Sequence, residues 1–187
     1  MAETDIYELI ECMTALIRSE ERKKCTELGL QAVHFQVLNY LSRSNKYSNT
    51  PAAVANYLGM TRGTVSQSLI ILEKRGLIEK VPDQKDRRVI HLQLLPAGRE
   101  TLKAARPAEL FTNATQILST VSGQNPDASA FQQALTALQK ANDSQSFGVC
   151  KSCRNFTVKD GQYFCQLTEE FLSDADSEQI CQEHQPV

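Results

Sequence analysis

A mainly α-helical fold carrying one small β hairpin, followed by a small cysteine-rich C-terminal lobe, is what this chain predicts. Three observations carry that expectation. Apolar residues recur at three- and four-residue steps through most of the first 141 residues. That period gives way once, between Gly76 and Pro96, to two short apolar runs around a charged segment. Four cysteines then stand close to the C-terminus, Cys150, Cys153, Cys165 and Cys181, spaced C-x2-C-x11-C-x15-C.

The elements follow in order. From Ile6 to about Thr26, Ile6, Leu9, Ile10, Met13, Leu16 and Ile17 mark one face of an amphipathic helix, which Gly29 closes. Ala32 to Leu41 repeats the pattern with Val33, Val37, Leu38 and Leu41, and the polar run Ser42 to Thr50 reads as a loop. Thr50-Pro51 places a cap and a first-turn proline before a short helix, Ala52 to Leu58, ended by Gly59. Thr61 opens the next helix, which ends at Gly76. Leu77, Ile78 and Val81, then Val89, Ile90, Leu92 and Leu94, form a two-stranded hairpin whose tip is Pro82 to Arg88. Pro96-Ala97-Gly98 breaks the strand, and two further helices run from Glu100 to about Val121 and from Ala128 to about Ala141, separated by Ser122 to Pro126. Asn142 to Ser146 is a polar linker. Phe147 to Val187 has no sustained helical period beyond a turn or two within Thr168 to Gln179, so it needs another source of stability, which a metal supplies in small lobes. The division is thus residues 1–141 and 147–187.

At 187 residues and 41% hydrophobic, the chain has material for one good core and a small appendage. No stretch reaches the eighteen apolar residues of a bilayer span, and the acidic start MAETDIYELIE is unlike a secretory signal. A cytoplasmic protein with no membrane partner is expected. In a reducing cytosol, clustered cysteines read as metal-binding or redox-active, while the separate Cys12 and Cys25 read as packing residues. The net charge of −2 hides a division. Thr61 to Arg88 holds seven basic residues (Arg62, Lys74, Arg75, Lys80, Lys85, Arg87, Arg88) against four acidic, whereas Val149 to Val187 holds three basic against seven acidic. A locally basic segment suits phosphates, and the acidic tail has a different task.

Helix, short helix, turn, helix and hairpin is the order of a winged helix-turn-helix, in which the second helix of the turn enters the major groove and the β wing reaches toward an adjacent minor groove. The run LGMTRGTVSQSLIILEKRGLIEKVPDQKDRRVIHLQLLPAGRE, Leu58 to Glu100, closely resembles MarR-family transcription regulators. The likeness lies in the recognition helix, the E-K-R-G-L-I exit, and the D-x-x-D-R-R wing followed by L-x-L-x-x-x-G. It extends over about Ile6 to Ala141. The resemblance implies a homodimer with interleaved N- and C-terminal helices, a winged lobe from each protomer on a palindromic double-stranded DNA operator, and a wing arginine, Arg87 or Arg88, in the minor groove; a repressor is the expected reading, with an activator left open. The cysteine pattern is an addition to that framework, so a small organic effector is left open.

The recognition helix supports this independently. Val65, Leu69, Ile70 and Leu72 make a buried stripe, leaving Arg62, Gly63, Thr64, Ser66 and Gln67 to face base edges from the N-terminal half. Gln67 suits adenine bidentately, Arg62 suits guanine or phosphate, and Lys74 and Arg75 suit the DNA backbone. In the wing, Lys85, Arg87 and Arg88 supply charge, with Asp83 and Asp86 placed to hold the arginines.

Thiolates are soft ligands for zinc or iron-sulfur clusters. The C-x2-C pair presents two sulfurs from one tight turn, whereas the third and fourth cysteines stand alone, an arrangement closer to a cluster, 4Fe-4S among the types, than to paired zinc knuckles. Two alternatives stay open: zinc, including a Cys150, Cys153, Cys181 and His184 set with Cys165 spare, and a metal-free redox thiol set. With a cluster, oxidation or iron loss would change the order of the lobe and modulate operator binding; with zinc, the ion is a staple. An enzyme finds little support, since the chain has no Gly-rich phosphate loop, nucleophile motif or carboxylate pair, and His34 and His91 sit in apolar runs as structural residues.

Overall fold

The computed structural model describes residues 6–84, 86–108, 110–113, 116 and 147–185. Helix α1 (Ile6–Glu27) leads through a turn at Gly29, whose φ of 63° suits a residue without a Cβ, into α2 (Ala32–Leu41). Helix α3 (Pro51–Leu58) starts as its sequence demands: the Thr50 hydroxyl accepts from Ala53 N, and Pro51 occupies the first turn. Helix α4 (Arg62–Lys74) is capped by Thr61, whose Oγ1 accepts from Thr64 N at 3.2 Å. Strands β1 (Ile78–Pro82) and β2 (Ile90–Leu94) pair antiparallel with Ile78 opposite Leu94 and Pro82 opposite Ile90.

The core gathers one face of each element. Phe35, Val37, Leu38 and Tyr40 of α2, Ala53 and Val54 of α3, Val65, Leu69 and Leu72 of α4, and Ile78 and Leu92 of the hairpin are all buried. Cys25 packs in this core as expected of a small hydrophobe, but Cys12 is exposed on α1. His34 is buried too; its Nδ1 accepts from Gln31 N at 3.1 Å, and burial holds its pKa below the ordinary value.

The helix expected from Glu100 begins earlier and breaks. Helix α5 (Pro96–Ala105) uses Pro96 as its first residue, so Pro96-Ala97-Gly98 both ends the strand and starts the helix. Arg106 is extended (φ −69°, ψ 138°), as the residue before Pro107 must be to avoid the proline ring, and helical backbone resumes at 108. The expected helix Ala128 to Ala141 and the linker Asn142 to Ser146 lie outside the described residues.

The C-terminal segment holds more regular structure than its sequence pattern suggested. Strand β3 (Gly148–Val149) leads into a 3-10 turn (Cys150–Ser152) and pairs antiparallel with β7 (Ile180–Cys181). Between them, β4 (Phe156–Lys159), β5 (Gln162–Cys165) and β6 (Glu170–Leu172) form an antiparallel meander, and a one-turn helix α6 (Asp174–Ser177) follows. The β4-β5 hairpin turns at Asp160-Gly161, both at positive φ, the chemistry of a two-residue type I′ turn.

This segment is docked on the α2–α3 loop. Ile180 N donates to Arg43 O at 2.7 Å, Asn45 N donates to Ile180 O at 3.0 Å, and Gln182 N donates to the buried Ser48 hydroxyl at 2.9 Å. Phe147 packs edge-on against Tyr57, which lies on Tyr40. Among the described residues, no helix is long and apolar enough to cross a membrane.

Candidate functional site

The first candidate face is the N-terminal half of α4 with the wing beside it. Val65, Ser68, Leu69 and Leu72 turn inward, leaving Arg62, Gly63, Thr64, Ser66 and Gln67 exposed along one outer face. Ile70 is half-buried where the stripe was expected to be complete, and Ser68 takes an inward place by donating its hydroxyl to Thr64 O at 3.0 Å. The Thr64 hydroxyl lies 2.9 Å from that of Thr61, so it serves the helix start as well as the outer face. Lys74 is exposed at the far end.

Two of the basic residues of this region have structural partners. Arg75 donates to Gly29 O at 2.8 Å and Leu28 O at 3.0 Å, tying α4 to the α1–α2 turn. Lys80 bonds Glu73 at 2.7 Å and thereby fixes the base of the wing to α4. Arg87 and Arg88 are exposed at the wing turn, while Lys85 lies outside the described residues. Asp86 pairs with Arg88 at 3.3 Å, as its position suggested. The Asp83 carboxylate also closes the turn, its Oδ1 accepting from Asp86 N at 2.8 Å, and its Oδ2 meets His91 Nε2 at 3.2 Å. The opposite ring nitrogen of His91 lies 2.6 Å from Asn49 Oδ1, so the histidine read as structural links the wing to the α2–α3 loop.

The second candidate site is in the C-terminal segment. Cys150, Cys153, Cys165 and Cys181 all line one cavity, although they come from the 3-10 turn, its exit, the end of β5 and β7. Phe156, Leu167 and Leu172 contribute apolar wall, and Asn45 and Tyr47 reach in from the α2–α3 loop. Cys150 and Cys181 are the close pair. Each thiol acts on the other: hydrogen bonding to Cys150 pulls the Cys181 thiol down, and hydrogen bonding to Cys181 together with burial pushes Cys150 up. Donors point at the sulfurs: Asn45 Nδ2 lies 3.7 Å from Cys150 Sγ, Gln185 N donates to Cys153 Sγ at 3.4 Å, and the Glu183 backbone favours ionised Cys181. Such N–H groups stabilise thiolate charge. Asn155 also lines the cavity, and its buried Nδ2 has no hydrogen-bond partner among the described residues.

Among the described residues, no three His, Cys, Asp or Glu side chains stand together at the spacing that would hold a metal ion. A tetrahedral zinc with sulfur at about 2.3 Å needs neighbouring sulfurs roughly 3.8 Å apart. His184 does not line the cavity; its Nε2 lies 2.9 Å from the Ser152 hydroxyl, and its ring covers Gly148 so closely that a Cβ there would collide with it. Sequence reasoning passed over Asn45 and Asn155, which no motif marks. The Asp160-Gly161 pair between two apolar runs was a readable hairpin signal for the strand that delivers Cys165.

Residues 28–89 match the model of the MarR family. The transcriptional repressor MprA of Escherichia coli (strain K12) is 30% identical over 97 residues, which are 52% of this chain and 55% of the relative, so the chain spans about half the length of the curated relatives it matches. Among solved structures, a point mutant of MepR from a multidrug resistant S. aureus clinical isolate superposes with a TM-score of 0.59 at 21% identity, covering 75% of this chain and 97% of the other. The S. aureus MepR-DNA complex superposes with 0.52 at 21%, covering 75% and 98%. Regulator Tm0710 of Thermotoga maritima gives 0.54 at 20%, covering 75% and 97%. At these identities the likeness shows the fold.

Proposed function

We propose that this chain, which carries a MarR-family winged helix over residues 28–89, is a homodimeric DNA-binding transcription regulator whose operator affinity is set by a cysteine-ligated metal centre. Repression is the sign of control favoured by the likeness to MprA. In this reading α4 enters the major groove with Arg62, Thr64, Ser66 and Gln67, Lys74 meets the DNA backbone, and Arg87 or Arg88 of the wing enters the minor groove. What supports the DNA half is the exposure of that whole set on one helix face beside an arginine-bearing turn. What supports the dimer is apolar surface on the N-terminal helix and after Pro107: Met13, Leu16 and Phe111 are 39%, 64% and 52% exposed in the single chain.

The centre rests on one observation: four cysteines from separate elements line a single cavity. Thiolates are the chemistry of soft metals, and the N–H groups of Asn45 and Gln185 beside the sulfurs suit anionic sulfur. An iron-sulfur cluster is favoured over one zinc ion. The four cysteines line the cavity from separate elements, and the buried Asn155 amide supplies a donor for an acceptor such as a sulfide. Such a group, when bound, would cross-link the segment and add a charge that depends on its oxidation state.

Purification without air, elemental analysis and a visible spectrum test the centre; fluorescence anisotropy on a selected operator duplex tests its control. Iron, inorganic sulfide, a brown colour and at least a tenfold change in affinity on emptying the centre are expected. Zinc with unchanged affinity would reduce the centre to a staple. Absence of any metal together with unchanged affinity would remove the proposal.

A further inference from the structure

The α2–α3 loop, residues 42–50, touches both candidate sites. On one side lies the cysteine cavity. Asn45 is 2% exposed, its Nδ2 lies 3.7 Å from Cys150 Sγ, its Oδ1 accepts from Tyr47 N at 3.1 Å, and its backbone N–H is bound to Ile180 O, next to Cys181. Ser48 is fully buried and receives Gln182 N on its hydroxyl and the Tyr40 hydroxyl on its carbonyl, so the loop has little freedom of its own. On the other side lies the wing. Asn49 O accepts from Leu92 N at 2.7 Å, the Asn49 side chain meets His91, and His91 meets the Asp83 carboxylate that closes the wing turn. Thr50, the next residue, caps α3 of the helix-turn-helix.

We propose that Asn45 is a positioning residue of the cysteine centre, supplied by the DNA-binding part of the same chain, and that the loop passes the state of the centre to the wing through Asn49 and His91. This rests on the reading that the centre controls operator affinity. The physical argument is continuity. Every step from Cys150 to Asp83 is a hydrogen bond or four residues of pinned backbone, so movement of Cys150 and Ile180 displaces residues 43–45 directly. Buried Asn45 serves both Cys150 and Cys181, so a movement of either sulfur costs it an acceptor unless the loop moves with the cysteines. The route lies within one protomer and does not require the dimer interface to change.

The test uses the full chain, loaded anaerobically with ferrous iron and sulfide, or with zinc(II) if the purified protein is colourless, and then emptied with a chelator. Operator duplexes selected from random-sequence DNA report affinity. In the unmodified chain, loading is expected to change affinity at least tenfold. Asn49→Ala and His91→Ala are expected to load the same metal per chain, and their loaded-to-emptied ratio to fall below about threefold. Asn45→Asp keeps the acceptor to Tyr47 and loses the donor to the Cys150 and Cys181 sulfurs, so its metal should be released faster to the chelator and, in the iron-loaded protein, its charge-transfer bands should shift. Hydrogen exchange of the unmodified chain, which depends on no variant, should increase over residues 42–50 and 83–91 on emptying. A full tenfold response in both wing-side variants, an unaltered rate of metal release in Asn45→Asp, or exchange changes confined to 147–185 would each overturn the inference while leaving the parent reading standing. No response in the unmodified chain would overturn both.

Discussion

In the proposed complex with DNA, Gln67 and Arg88 would divide the work of recognition in ways that differ measurably. Gln67 is exposed in the first turns of α4, with a planar amide suited to adenine, so Gln67→Ala should cost about 1–3 kcal/mol, roughly 5- to 150-fold, and relax preference at one base pair. Arg88 is paired at 3.3 Å with Asp86 and its side chain is 93% exposed, so Arg88→Ala should weaken all duplexes and reduce the slope of log affinity against log salt by about one. Anisotropy titrations across salt and base substitutions measure both; a base-specific loss in Arg88→Ala would reverse the roles. At this scale the sequence was readable where patterns are local. The outward set Arg62, Thr64, Ser66 and Gln67 follows from helical period alone. The fate of Arg75 and Lys80 was not readable, because their partners, Leu28, Gly29 and Glu73, are brought near only by folding.

Elements fit one another through a few close approaches. Helix α5 crosses the start of the wing at Gly98, where a Cβ would run into Leu77 O, the carbonyl that accepts Leu95 N, and into a Leu94 methyl. The obstruction is backbone and cannot swing aside. Gly98→Ala should therefore destabilise by about 1–3 kcal/mol, as overpacking does, despite alanine's better helix propensity. A chemical-denaturation midpoint at or above that of the unmodified chain would contradict this contact. Caps and breakers gave the element boundaries at Thr50, Gly59 and Thr61 correctly, since each acts on its immediate neighbours. Pro107 was the missed signal: a helix drawn from Glu100 to Val121 runs through a proline that must stop it.

For the whole molecule, the single chain leaves apolar side chains of α1 in solvent, and the dimer is the arrangement proposed to cover them. Leu16→Glu would place a charge within that interface. Sedimentation equilibrium should then show monomers at concentrations where the unmodified chain is a dimer, and operator affinity should fall at least a hundredfold as two lobes no longer bind together. A Leu16→Glu dimer of ordinary affinity would show that another surface joins the copies. The folded core would survive the change, because Leu16 is 64% exposed and takes no part in it.

The order of residues by itself determined the helical period, the hairpin and the outward face of α4, because each depends on neighbours within a few positions, and it set four thiols apart near the C-terminus. Only the tertiary structure decided that those thiols line one cavity, that His184 turns to Ser152 instead, and that Asn45, 105 residues from Cys150, lies beside its sulfur. The reason is physical. Contacts across such separations have no periodic trace in the chain; they arise when burial of Phe147 and Ile180 on the core carries the C-terminal segment onto the α2–α3 loop.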